Sequence, residues 1–122
     1  MRVLLSIKPK YAELILSGEK KYEFRRAIFR NPDVNKIVIY ASSPISKVIG
    51  EFIIDDILTC NLTDLWLHTM EYAGIDKKYY DSYFYGKDHG HAIKVKSVKR
   101  YSRFKELNEF NVKRAPQSFA YL

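Results

Sequence analysis

Apolar and polar positions change period from block to block along this chain. Val3, Leu4, Leu5 and Ile7 are a tight apolar run, which predicts a short buried strand over Arg2–Ile7. Pro9 suits the first turn of a helix. Tyr11, Leu14 and Ile15 share one face of that helix and Lys10, Glu13 and Ser17 the other, with Gly18 closing it. Residues 20–28 then alternate, Tyr22 and Phe24 against Lys21, Glu23 and Arg25, as a half-buried strand does. A turn at Asn31–Pro32–Asp33 leads to a second buried strand over Lys36–Ala41. Lys47–Leu58 reads as a third strand region, with Gly50 inside it marking a bulge or a close backbone approach.

Two helical patterns come next. Leu62–Tyr72 reads as a helix capped by Asn61 or Thr63, and Asp76–Phe84 as one capped by Asp76. His91–Lys99 alternates again, with Ile93 and Val95 inward and Lys94 and Lys96 outward. Residues 102–110 suggest a short helical turn, and the tail Ala115–Leu122 carries no clear pattern. The order is β-α-β-β-β-α-α-β with a tail. Strands joined by short turns are antiparallel, so the pattern favours an α+β fold: a small mixed or antiparallel barrel with helices over its ends.

At 122 residues the chain is expected to form one domain, 1–122. No apolar run approaches the ~20 residues that span a bilayer, so no membrane partner is expected. The N-terminus does not read as a signal peptide. Cys60 is the single cysteine, which allows no internal disulfide and makes a cytoplasmic location the expectation; a buried structural thiol is its default role.

Charge sharpens the picture. Residues 1–54 hold ten Lys/Arg against five Asp/Glu, residues 55–90 three against seven, and residues 91–122 eight against two. Two basic ends around an acidic middle, at a net +7, point to a polyanionic partner such as nucleic acid. The acidic middle also clusters Tyr72, Tyr79, Tyr80, Tyr83, Phe84 and Tyr85, whose helical spacing favours core packing over base stacking.

Candidate chemistry concentrates near the first helix. Lys20, Glu23, Arg25 and Arg26 lie within seven residues that start at a helix–strand turn. Glu23 and Arg25 share a strand face, and Glu23 can hold Arg25 or Lys20 at a fixed angle toward a phosphate or a base edge. A solvated charged edge strand is the plain alternative. Ser6 and Lys8 precede the helix, where free N–H groups attract anions. Ser42 follows a buried strand, a usual place for a ligand-lining loop. Lys94 and Lys96 are candidate phosphate contacts. His89 and His91 lack further ligands at metal spacing, so no metal and no cofactor are expected. His91 could face a pocket, and Trp66 reads as core. The pattern does not set an oligomeric state.

The stretch Ser6-Ile7-Lys8-Pro9-Lys10-Tyr11-Ala12, followed by Gly18, Lys20, Glu23 and Arg25 as G-x-K-x-x-E-x-R, resembles the ASCH domain (activating signal cointegrator homology) of the PUA-like superfamily. Tyr40–Pro44, Gly50 and Ala115-Pro116-Gln117-Ser118-Phe119 extend the resemblance over nearly the whole chain. It implies a PUA-like barrel with a cleft beside the first helix, and an RNA- or nucleotide-binding module whose cleft takes a base or modified base. In that reading Lys20, Glu23 and Arg25 line the cleft and Tyr22 or Tyr40 stacks on the base; Ser6, Lys8, Arg26, Ser42, Lys94 and Lys96 join them as ligand candidates from the residues themselves. It also implies an alternative, a small hydrolase. One ASCH branch removes the acetyl group of acetylcytidine with a Lys, a Thr three positions later and a helical Glu. Lys20 matches that Lys and Glu71 lies in the helical segment, but the Thr position is Glu23. Other ASCH proteins are ribonucleases, for which Lys20 and Glu23 would be the catalytic pair. A protein partner in transcription or translation is a third option that no residue singles out.

Overall fold

The strands assemble as one six-stranded mixed sheet in the order β2-β5-β4-β3-β1-β6, curled into a half-barrel. The computed structural model describes all 122 residues. The elements are β1 Arg2–Ile7, α1 Pro9–Ser17, β2 Tyr22–Arg25, β3 Lys36–Ala41, β4 Lys47–Asn61, α2 Leu62–Thr69, α3 Lys77–Tyr83, β5 His89–Lys105 and β6 Phe119–Tyr121. Short 3-10 turns at Met70–Tyr72 and Leu107–Phe110 complete the chain. This is the α+β, PUA-like architecture that the pattern and the resemblance imply.

β1 runs parallel to β3, with α1 in the connection between them, and every other pair is antiparallel. α1 has the predicted ends: Pro9 stands in its first turn, and Gly18 closes it at φ 88°, a left-handed position that glycine takes without strain. Its apolar face, Ala12, Ile15 and Leu16, is buried on Val3, Leu5, Ile37, Ile39 and Phe52. Gly50 fulfils its expected role. A Cβ there would stand 2.8 Å from the Lys99 carbonyl and 2.9 Å from Leu16, and the ladder slips beside it.

A second apolar cluster sits under α2 and α3: Phe24, Leu65, Ala73, Tyr80, Phe84 and Ala92. A third, on the opposite face of the sheet from α1, joins Leu4, Val38, Tyr40, Val48 and Tyr101 to Leu107, Phe110 and Leu122. No helix is long and apolar enough to cross a membrane.

Several boundaries differ from the sequence expectation. The strand expected over residues 20–28 is only Tyr22–Arg25, because just these residues pair with β5. β4 runs on to Asn61 and β5 to Lys105, since each supplies the other's hydrogen-bond partners from Val48–Lys105 to Asn61–His89. Ladder pairing carries polar residues such as Arg100 and Arg103 into a strand that alternation alone does not mark. The helical turn expected at 102–110 therefore shrinks to Leu107–Phe110. α2 is capped by Asn61, whose side chain accepts from the Asp64 N–H at 2.9 Å. It gives way after Thr69 to the 3-10 turn, so the last part of the expected helix winds more tightly. Asp76 caps α3 as expected, accepting from the Tyr79 N–H at 2.8 Å. The unpatterned tail becomes β6, an edge strand on β1.

Candidate functional site

A cleft of about 150 Å³ opens between the start of α1, strand β2 and helix α3. Ser6 and Lys8 form one side, Lys20, Glu23 and Phe24 the floor, and Tyr11, Tyr79 and Tyr83 the opposite wall. The α3 tyrosines sort by helical geometry. Tyr79 and Tyr83 are four apart, lie nearly parallel at 8° with centroids 6.5 Å apart, and both line the cleft. Tyr80 and Phe84 take the other face and fill the core. Tyr11 approaches Tyr79 at 5.3 Å, so α1 and α3 meet through aromatic rings at the cleft.

The floor is charged and dry. Lys20 is 2% exposed and Glu23 7%. The Lys20 ammonium donates to the Ala73 carbonyl at 2.5 Å and lies 4.8 Å from the Phe24 ring centre. Burial pulls its pKa from 10.5 down to about 8, against the opposing pull of the Glu23 carboxylate. Burial pushes the Glu23 carboxyl up, although Lys20 and Arg25 both work to lower it. Gly74 makes the burial of Lys20 feasible: at φ 69° it passes so close that a Cβ would sit 2.5 Å from Lys20 Cγ.

Arg25 ties the floor to the tail. It donates to Glu23 Oε2 at 3.3 Å, to the Ser6 carbonyl at 3.4 Å and to the Ser118 carbonyl at 2.9 Å. Ser6 Oγ in turn donates to the Pro116 carbonyl at 2.7 Å. The Tyr83 hydroxyl donates to the Phe24 carbonyl at 3.2 Å, and burial raises its pKa. The lining carries the three cations Lys8, Lys20 and Arg25 against Glu23 alone. Such a cleft suits an anionic ligand bearing a flat ring.

Of the residues expected at a site, Ser6, Lys8, Lys20, Glu23 and Arg25 meet in this cleft. The others stand elsewhere. Arg26 is exposed outside the lining, and Tyr22 packs toward the cluster under α2 and α3. Ser42 anchors a turn: its N–H donates to the Ile7 carbonyl at 2.9 Å and its own carbonyl accepts from the Ile45 N–H at 3.1 Å. Tyr40 lies on the other face of the sheet and lines a separate groove. Lys94 faces Asp55 at 3.6 Å and Lys96 is exposed, both on β5 away from the cleft. His91 pairs with Thr59 at 2.8 Å, and Glu71 is exposed on the 3-10 turn. Ile75, Tyr79 and Tyr83 are lining residues that the core reading of the aromatic cluster misses. The i, i+4 spacing of Ile75, Tyr79 and Tyr83, a face separate from that of Tyr80 and Phe84, is the signal that could have found them.

A curled mixed sheet with α1 crossing between parallel strands, and a cleft at the start of that helix, defines a PUA-like domain. The family model for the ASCH domain matches residues 5–116, and the chain belongs to that family. An ASCH domain-containing ribonuclease of Zymomonas mobilis is 30% identical over 122 residues, covering 98% of this chain and 82% of that protein. The large ribosomal subunit protein uL22 of Ureaplasma parvum is 32% identical over 124 residues, and this chain spans 39% of its length. The crystal structure of a tyrosine-to-phenylalanine variant of a Zymomonas mobilis ASCH protein superimposes with a TM-score of 0.90 at 28% identity, covering 99% of this chain and 89% of that one.

Proposed function

We propose that this domain binds RNA, with one ring of a nucleotide seated against the wall of three tyrosines and its phosphate held by the cleft cations. The observation that carries this reading is the cleft itself: a tyrosine-walled slot with a buried Lys20, an Arg25 locked by Glu23 and Ser118, and a mobile-length Lys8 side chain at the rim. A cavity of about 150 Å³ accommodates one benzene-sized ring. Single-stranded RNA offers such rings unstacked, and aromatic faces take them. The family and the ribonuclease relative support the choice of RNA.

Fluorescence anisotropy on a labelled single-stranded RNA at two salt concentrations tests the reading. Wild type is expected to bind in a salt-dependent way. Lys20→Met keeps the bulk of the buried side chain and removes its charge, and is expected to weaken binding about tenfold. Absence of RNA binding by the folded wild-type protein would refute the proposal.

A second reading adds cleavage, and the Zymomonas relative favours it because the likeness extends through most of that ribonuclease. Glu23 then takes the proton of a ribose 2′-hydroxyl as its oxygen attacks the adjacent phosphorus, and the Lys20 ammonium delivers a proton to the departing 5′-oxygen. The products are a 2′,3′-cyclic phosphate and a free 5′-hydroxyl. Glu23→Gln is expected to abolish strand cleavage on a denaturing gel while retaining RNA affinity. Intact RNA after long incubation with wild type leaves the binding module alone standing.

A further inference from the structure

Two opposite charges stand on the floor of the cleft without forming an ion pair. Lys20 and Glu23 each feel the other's charge, yet Glu23 is paired with Arg25, and the Lys20 ammonium is bound to the Ala73 carbonyl. Both are pinned where they are. Gly74 packs against the Lys20 stem, and Arg25 is itself held by the Ser6 and Ser118 carbonyls. Building on the RNA reading, we propose that one unpaired pyrimidine enters the cleft with its Watson–Crick edge foremost. An N–H of the base donates to Glu23 Oε1, and the acceptor beside it takes a hydrogen bond from the Lys20 ammonium.

The two oxygens of Glu23 carry this assignment. Oε2 accepts from Arg25 at 3.3 Å. Oε1 accepts from no group of the protein, and the molecule has no side-chain oxygen that is both buried and unpartnered. Oε1 is therefore open, on a side chain that lines the cleft and is otherwise buried. Ionised, as its pairing with Arg25 favours, Glu23 offers that oxygen only as an acceptor. A ligand group that reaches it must bring a donor. A phosphate brings acceptors and negative charge, so it stays at the rim, where the Lys8 ammonium stands 5.7 Å from the Tyr79 ring centre. The flat tyrosine wall favours a base over a ribose on the floor.

A Watson–Crick edge sets a donor beside an acceptor, N3–H and O4 in uracil, N4–H and N3 in cytosine. That pair matches an open carboxylate oxygen and an ammonium with N–H groups to spare after Ala73. The ring size follows from the volume, since about 150 Å³ takes one benzene-sized ring and not the fused pair of a purine. Base pairing hides the edge, so the cleft selects an unpaired base by its chemistry as well as by access. The arrangement rests on the binding reading and leaves Glu23 no part in a cleavage step.

Labelled 2′-O-methyl hexamers, which lack the hydroxyl that cleavage needs, test it by fluorescence anisotropy. They are hexauridylate, the same hexamer methylated at N3 of each uracil, the same hexamer methylated at C5, and hexaadenylate. Methylation at N3 is expected to weaken binding at least tenfold and methylation at C5 less than twofold. Hexaadenylate is expected to bind at least tenfold more weakly than hexauridylate. Glu23→Gln keeps the size of the side chain and a partner for Arg25. It is expected to retain the wild-type circular dichroism and to bind hexauridylate about fivefold more weakly. Equal affinity for the N3- and C5-methylated hexamers, or a folded Glu23→Gln variant that binds hexauridylate as wild type does, overturns the edge assignment while the cleft reading stands. Hexaadenylate bound as tightly as hexauridylate overturns the selection of a pyrimidine. A folded wild type that binds neither hexauridylate nor hexaadenylate fails the RNA reading itself.

Discussion

At Lys20 an ammonium ion is taken out of water and given one carbonyl, a ring face and a nearby carboxylate in return. The exchange is unfavourable, as the fall of its pKa from 10.5 to about 8 records. That fall corresponds to roughly 3 kcal/mol of stability withheld while the group is charged in both states. The unfolded chain holds the proton more tightly, so stability rises as pH climbs from about 8 to 10.5. Lys20→Met removes this dependence. Urea unfolding of the two proteins is expected to show wild type gaining on the variant by roughly 3 kcal/mol between pH 7 and pH 10.5. Parallel curves would mean that Lys20 is hydrated. RNA affinity should move the opposite way, falling above pH 8 as the ammonium is lost. At this scale the sequence is legible where the chain is local. Ser6, Lys8, Lys20, Glu23 and Arg25 flank one helix and meet because the helix is short. Ser118 enters only through the resemblance at Ala115–Phe119, since no hydropathy pattern there announces that β6 returns to β1 and brings it to Arg25.

Elements place these side chains. α3 is the clearest case: its sequence shows aromatic residues at helical spacing but not which face meets the sheet. Phe24 and Ala92 on β2 and β5 decide that, burying Tyr80 and Phe84 and turning Tyr79 and Tyr83 toward α1. The same holds for β4 and β5, whose lengths follow from each other and not from either pattern. The 3-10 turn and Gly74 between α2 and α3 have a definite task, to supply the Ala73 carbonyl to Lys20 and leave room for its stem. Gly74→Ala puts a Cβ at φ 69° against Lys20 Cγ. It is expected to cost about 1–3 kcal/mol in thermal or urea unfolding, and to weaken RNA binding by displacing Lys20. A variant as stable as wild type would show that this turn adapts freely.

For the molecule as a whole, the acidic segment 55–90 folds into α2, α3 and their flanking strand ends, while the cations concentrate on the other strands and the tail. A polyanion is therefore repelled from the outer face of the helical lobe and drawn toward the basic strands and tail. With about three phosphates on the cleft cations Lys8, Lys20 and Arg25, log affinity against log salt should have a slope of about −2, and Lys8→Ala should reduce it by about 0.7. A slope unchanged in that variant would remove Lys8 from the contact. The pairing of β6 with β1 reaches further than the site. Val3 is the register partner of Tyr121, and the Leu122 N–H donates to the Arg2 carbonyl at 3.0 Å. The two termini therefore leave side by side on one edge, and the domain behaves topologically as a closed ring. Joined there by a few glycines and reopened between Lys87 and Asp88, both exposed, a circular permutant should keep the parent's circular dichroism and melting profile.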